Sequence, residues 1–204
     1  MENLEKLKKG LFFWSSSLIL VFAVYKFVEL IIYFDFEYFL NYLPSLIYYG
    51  AMIFLGIFLA GRKNSLPVSI FLLIIAIIEG YWMIMSIISL VKSDQLFSFY
   101  GFIWTILYVL RLVSPTLLSI ISFADWKNIW VKLKKLWIIP TVATLIYFII
   151  YLVYYVVGYI GYDLSNLFLS LGIELLYYIG FVMFALTFAN LEKIQKLLDK
   201  TKGL

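Results

Sequence analysis

Five ionisable side chains interrupt long apolar stretches of this 204-residue chain: Lys26, Glu29, Glu79, Arg111 and Glu174. A charge at lipid depth costs about 2.5–3.5 kcal/mol even on the mildest insertion scale, so each must face protein or water. Arg111 carries the most chemical information. Lysine supplies fourteen of the sixteen basic residues, yet here an arginine, a permanently charged planar fork of five donors suited to bidentate pairing, is kept at mid-membrane. One arrangement pairs Arg111 with Glu79, and Lys26 with Glu29 (three residues on along one helix) or Glu174, simply fixing the helices against one another. The other uses these groups to contact a ligand or an ion. Two bases and three acids leave a formal charge of −1. Either one glutamate is protonated, with Glu174 the candidate because no arginine is obviously its own, or the site holds a cation or an amine.

The elements that must position these groups follow from composition. The chain is 65% hydrophobic and 14% charged, with a mean hydropathy of +1.01, outside the range of soluble domains. A spanning helix needs about 20 apolar residues, so the expected fold is all-α: one polytopic membrane domain of six transmembrane helices. Long uncharged runs place them at residues 11–33, 43–61, 66–91, 100–123, 136–158 and 167–190. Helical rise puts Glu79 and Arg111 near the midplane, Lys26 and Glu174 in the outer half, and Glu29 toward the outer interface. The inner half holds no such residue, which implies a polar pocket that opens outward.

Helical periodicity gathers further polar groups on the same faces. The fourth span carries Thr105, Tyr108, Arg111, Pro115, Ser119 and Ser122 as one stripe. The first carries Ser15, Ile19, Phe22, Lys26 and Glu29; the third, Glu79, Met83 and Ser86; the sixth, Ser170, Glu174 and Tyr177. The fifth offers Thr144, Tyr147, Tyr151, Tyr154 and Tyr155. The candidate ligand-binding set is therefore Arg111, Glu79, Glu174, Lys26, Tyr108, Tyr151 and Tyr177. On the second span Gly56 and Ala60, four apart, favour close helix packing.

Thirteen of the sixteen basic residues fall on one side of these spans: Lys6, Lys8 and Lys9; Arg62 and Lys63; Lys127, Lys132, Lys134 and Lys135; Lys193, Lys196, Lys200 and Lys202. The opposite loops hold Asp35, Glu37, Asp94 and Asp163 with only Lys92. The positive-inside rule makes the basic side cytoplasmic and both termini internal, as expected for a multi-pass protein of the cell (plasma or inner) membrane. The first apolar run is too long for a signal peptide and lacks a small-x-small cleavage site, so it is expected to remain as a span.

Two basic segments are amphipathic. Trp126, Ile129, Trp130, Leu133 and Trp137 recur at helical spacing opposite Lys132, Lys134 and Lys135, predicting a short helix on the anionic inner leaflet. In the tail, residues 191–204, Leu191, Ile194, Leu197 and Leu198 alternate with lysines in the same way, so anionic lipid is the first expected partner. A partner membrane subunit or a second copy of the chain is the other. The +4 charge lies beside spans and predicts no nucleic acid. A weak repeat aligns residues 59–64 with 123–128, and more loosely with 188–193, as three helical hairpins would.

No cysteine and no histidine are present, which removes thiolate and imidazole chemistry and nearly all zinc, copper and haem sites. No span contains an aspartate, and no glycine-rich phosphate loop or nucleophile elbow occurs. No enzyme activity, metal or cofactor is expected. What remains is a protein that binds or transports a small solute or ion in the outward pocket. The alternative is an accessory, regulatory or immunity-type protein that acts through lipids or a partner subunit, with purely structural charges. Length and six-span topology are similar to those of the substrate-binding subunits of energy-coupling-factor vitamin importers. The small-xxx-small pair which that family places on its first helix is missing, since Ala23 has Phe27 four residues on and Ile19 four before.

Overall fold

A computed structural model describes residues 2–61, 64–158 and 164–189. The regular structure among these residues is entirely helical, without strands. The helices are α1 (Glu2–Ile32), α2 (Phe39–Ala60), α3 (Leu66–Lys92), α4 (Phe99–Lys127), α5 (Ile138–Gly158) and α6 (Leu164–Leu186). Helix is what lipid demands, because it satisfies every backbone donor and acceptor within one segment. Five of the six are long and apolar enough to cross a membrane; the described apolar stretch of α6, Leu171–Leu186, is shorter. Serine residues start two of them. Ser98 accepts from the Gly101 amide at 3.0 Å and caps α4, while Ser65 precedes α3 with Pro67 in its first turn, where a missing amide costs nothing.

Each helix packs on its neighbours in sequence, and α6 returns to α1, so the six close into a ring. The interior is filled by Ile19, Tyr48, Met52, Leu72, Leu118 and Phe184, none of them accessible. Val21, Ile77, Ile84, Ile149 and Val153 point outward and are exposed, the apolar exterior that a lipid-facing ring requires. Pairing is closest between α1 and α2 and between α3 and α4, whereas α6 packs more extensively on α1 than on α5 among the described residues.

Three expectations change. Gly56 does allow close approach: a Cβ there would collide with Leu20, and Ser16 Oγ donates to the Gly56 carbonyl at 2.8 Å. Ala60 is exposed at the end of α2, beyond the crossing, and takes no part. The residues aligned as a repeat end their helices differently. α2 stops at Ala60, but α4 runs three positions past the aligned Ala124 to Lys127, and Asn128 terminates it with φ 51°.

The segment around the tryptophans is not one amphipathic α-helix. Trp126 belongs to the last turn of α4, Asn128 and Trp130 both adopt left-handed backbone, and Val131–Trp137 is a 3₁₀ helix. With three residues per turn the spacing of 3.6 no longer collects the apolar side chains on one face. Trp130 is exposed, Trp137 packs against the core, and Lys134 bonds Asp125 at 2.5 Å. Arg62, Lys63, Asp163 and residues 190–204 lie outside the described residues, as do the side chains of Tyr155 and Ser170.

Candidate functional site

The helical face of α2 that carries Gly56 also carries Met52 and Tyr48, at intervals of four, and so aims Tyr48 into the ring. There Tyr48 donates to Glu79 Oε1 at 2.6 Å, and Arg111 Nε donates to the same oxygen at 2.7 Å. Arg111 Nη2 reaches Tyr48 Oη at 3.4 Å, and the Tyr177 hydroxyl lies 3.4 Å from Tyr48 on its other side. Helices α2, α3, α4 and α6 are thus tied by one polar network. Glu79 is 1% exposed, and its Oε2 has no hydrogen-bond partner. The guanidinium lies 5.5 Å from the Trp82 ring centroid and 5.8 Å from that of Tyr48, within cation–π range.

Arg111 keeps 26% of its side-chain surface accessible, and that surface forms part of a cavity between α3 and α4. The deeper lobe, about 440 Å³, is bounded by Arg111, Trp82, Tyr49, Met85 and Tyr108. Ser86, Ser89 and Tyr108 continue into an outer lobe of about 340 Å³, which ends at Ser93, Gln95 and Tyr100 beside the α3–α4 connection. Trp104 borders the outer lobe and packs against Tyr100 and Tyr108, with ring centroids 6.0 and 5.9 Å apart.

Toward the other end of α3 and α4 the same two helices are sealed. Ser69 Oγ donates to Ser122 Oγ at 3.0 Å and Ser119 Oγ donates to the Ser69 carbonyl at 2.9 Å. Ser122 Oγ in turn donates to Asn64 Oδ1, and Asn64 Nδ2 reaches Asp125 at 3.2 Å. Ser69, Ser119 and Ser122 thus find complements across the contact, while the buried Ser65 hydroxyl at the start of α3 has no hydrogen-bond partner.

The ligand-binding candidates separate into three groups. Glu79, Arg111 and Tyr177 meet in the network, and Tyr108 borders the cavity. Lys26 and Glu174 face each other at 4.0 Å across α1 and α6, with Glu29 at 3.0 Å from Lys26. Neither borders the cavity, although Arg111, Lys26, Glu79 and Glu29 all act electrostatically on Glu174. Tyr151 stacks on Tyr147 at 5.9 Å, away from the cavity. Tyr48, Tyr49, Trp82, Trp104 and Ser89 were not singled out by sequence. The Gly56 face pointed to Tyr48, but aromatic richness is general in this chain and hides individual aromatic residues.

No protein family, curated protein or solved structure matches the chain. The similarity in size and topology to importer subunits therefore gains no support from a structural match.

Proposed function

We propose that this is a six-span, non-enzymatic protein of the cell membrane, with both termini in the cytoplasm, that binds or transports a small solute in the α3–α4 cavity. One observation carries the proposal: a mid-membrane arginine held by a buried glutamate keeps part of its surface on a cavity whose outer end reaches an interhelical loop. Lipid-facing surface has no use for such an arrangement, because a permanent charge at that depth is costly unless protein, water or a ligand solvates it. Positive-inside bias makes the α3–α4 loop extracytoplasmic, and the serine seal supports closure on the other side. The inner end holds a further cavity of mixed charge, bordered by Lys8, Lys9 and Trp126 but also by Glu5 and Asp125, with Lys9 paired to Glu5 at 2.7 Å.

A second reading treats the charges as scaffold for an accessory, regulatory or immunity-type protein acting through a partner subunit or a second copy. Its support is that Tyr48, Glu79 and Arg111 already satisfy one another. A structure of the protein extracted from its native membrane separates the two. Non-protein density against Arg111 is expected on the binding reading. A cavity filled by an acyl chain, or collapsed onto packed side chains, would leave the scaffold.

A further inference from the structure

The cavity is rich in donors and poor in pure acceptors, which restricts its ligand. A guanidinium has five N–H donors and no acceptor. Protein partners take two of those of Arg111, at Glu79 Oε1 and at Tyr48 Oη, which leaves three. Trp104, whose indole N–H is also a pure donor, borders the outer lobe beside the Tyr100 hydroxyl. No aspartate or glutamate borders either lobe among the described residues. Glu79 lies behind Arg111 and is buried, so the pair presents its positive end to the cavity. The excess negative charge of the wider cluster sits across the ring, where Glu174 and Glu29 share Lys26.

The walls are aromatic. Tyr49, Trp82 and Tyr108 line the deeper lobe, which is open on one side, and flat rings stack on such faces with little loss of side-chain freedom. A volume of about 440 Å³ falls in the range of small-molecule pockets. Depth excludes a lipid headgroup as the natural occupant: Arg111 is twelve residues into α4, about 18 Å along the helix from its outer end.

Resting on the reading of this cavity as a solute site, we propose that its ligand is a small aromatic monocarboxylate, with the carboxylate on the remaining N–H groups of Arg111 and the ring among Tyr49, Trp82 and Tyr108. A planar guanidinium edge matches two carboxylate oxygens, which an amide or alcohol cannot reproduce.

The test uses the chain's lack of cysteine. In phosphatidylcholine nanodiscs, Ser89→Cys places a unique thiol beside both lobes, and its maleimide labelling is followed with benzoate, benzamide or benzylamine. Benzoate is expected to protect saturably, at a concentration at least tenfold below that of benzamide, with benzylamine ineffective. Glu79→Gln together with Arg111→Gln, which removes both charges at once, is expected to abolish benzoate protection. Should that double variant fail to fold, Glu174→Gln serves instead: it lies off the cavity and is expected to tighten benzoate about threefold by removing a repelling charge. Preferential protection by benzylamine, or equal protection by benzamide, would overturn the carboxylate class and leave the solute site standing. Protection that disappears when phosphatidylglycerol replaces phosphatidylcholine would assign the oxyanion to lipid, again against the proposal. If none of the three probes protects a thiol that labels freely, the proposal fails, while density in the native extract still decides the solute reading.

Discussion

Helices α3 and α4 run side by side for their whole length, yet their two ends are built on opposite principles. At the basic end Ser69 meets Ser119 and Ser122, side chains of two heavy atoms that let the backbones approach and bond across the contact. At the other end Trp82 and Met85 face Tyr108 and Arg111, and a cavity of about 440 Å³ stays open among them. Small hydroxyls close a membrane interface because each finds a complement within reach; bulky amphipathic side chains prop it open because their polar tips need room or a ligand. One helix pair thus supplies both a seal and a vestibule.

The largest expected effect comes from the pair at the boundary between these regions. Glu79→Ala or Arg111→Ala alone leaves a buried charge without its partner, and each is expected to cost about 3–5 kcal/mol of stability, read as loss of folded protein in a detergent thermal melt. Removing both charges should cost far less than the two single losses combined. Additive losses would mean that the two side chains do not act as a pair.

Tight packing at the basic end is tested next. Gly56→Val drives a branched side chain into Leu20 and the Ser16 carbonyl and is expected to cost about 1–3 kcal/mol, whereas Ala60→Val, on an exposed position, should stay within about 0.5 kcal/mol. Equal costs at the two sites would contradict the crossing described. Ser122→Ala removes the hydroxyl that bridges Ser69 and Asn64 and is expected to cost about 1–2 kcal/mol, the penalty for stranding buried polar partners. Smallest of all, Ser89→Ala on the cavity wall should shift the melt by less than about 0.5 kcal/mol. A loss there as large as that of Ser122→Ala would erase the distinction between seal and vestibule.

The helices were legible because lipid imposes one rule on every residue, and uncharged runs mark its reach. Charges were legible for the same reason: Glu79 and Arg111 had to find each other or water, and they lie 2.7 Å apart. Lateral arrangement was not. Periodicity gives the face of a helix, but which neighbour that face meets depends on ring order, so the sequence offered Lys26 either Glu29 or Glu174 without showing that it lies between them, 3.0 Å from one and 4.0 Å from the other. Tyr48 was hidden because a tyrosine among seventeen carries little information until its depth and neighbours are known. The tryptophan-rich connection was misread as an α-helix because apolar spacing is blind to the left-handed backbone at Asn128 and Trp130, which breaks the period on which the prediction rests.

The contrast between the two ends is tested most directly by thiol accessibility in sealed, right-side-out vesicles, with single cysteines at position 89 and at position 122 exposed to a membrane-impermeant maleimide. Ser89→Cys should label rapidly from outside while Ser122→Cys resists the reagent. Protection at position 89, or labelling of position 122 from outside, would contradict an outward vestibule above a closed seal.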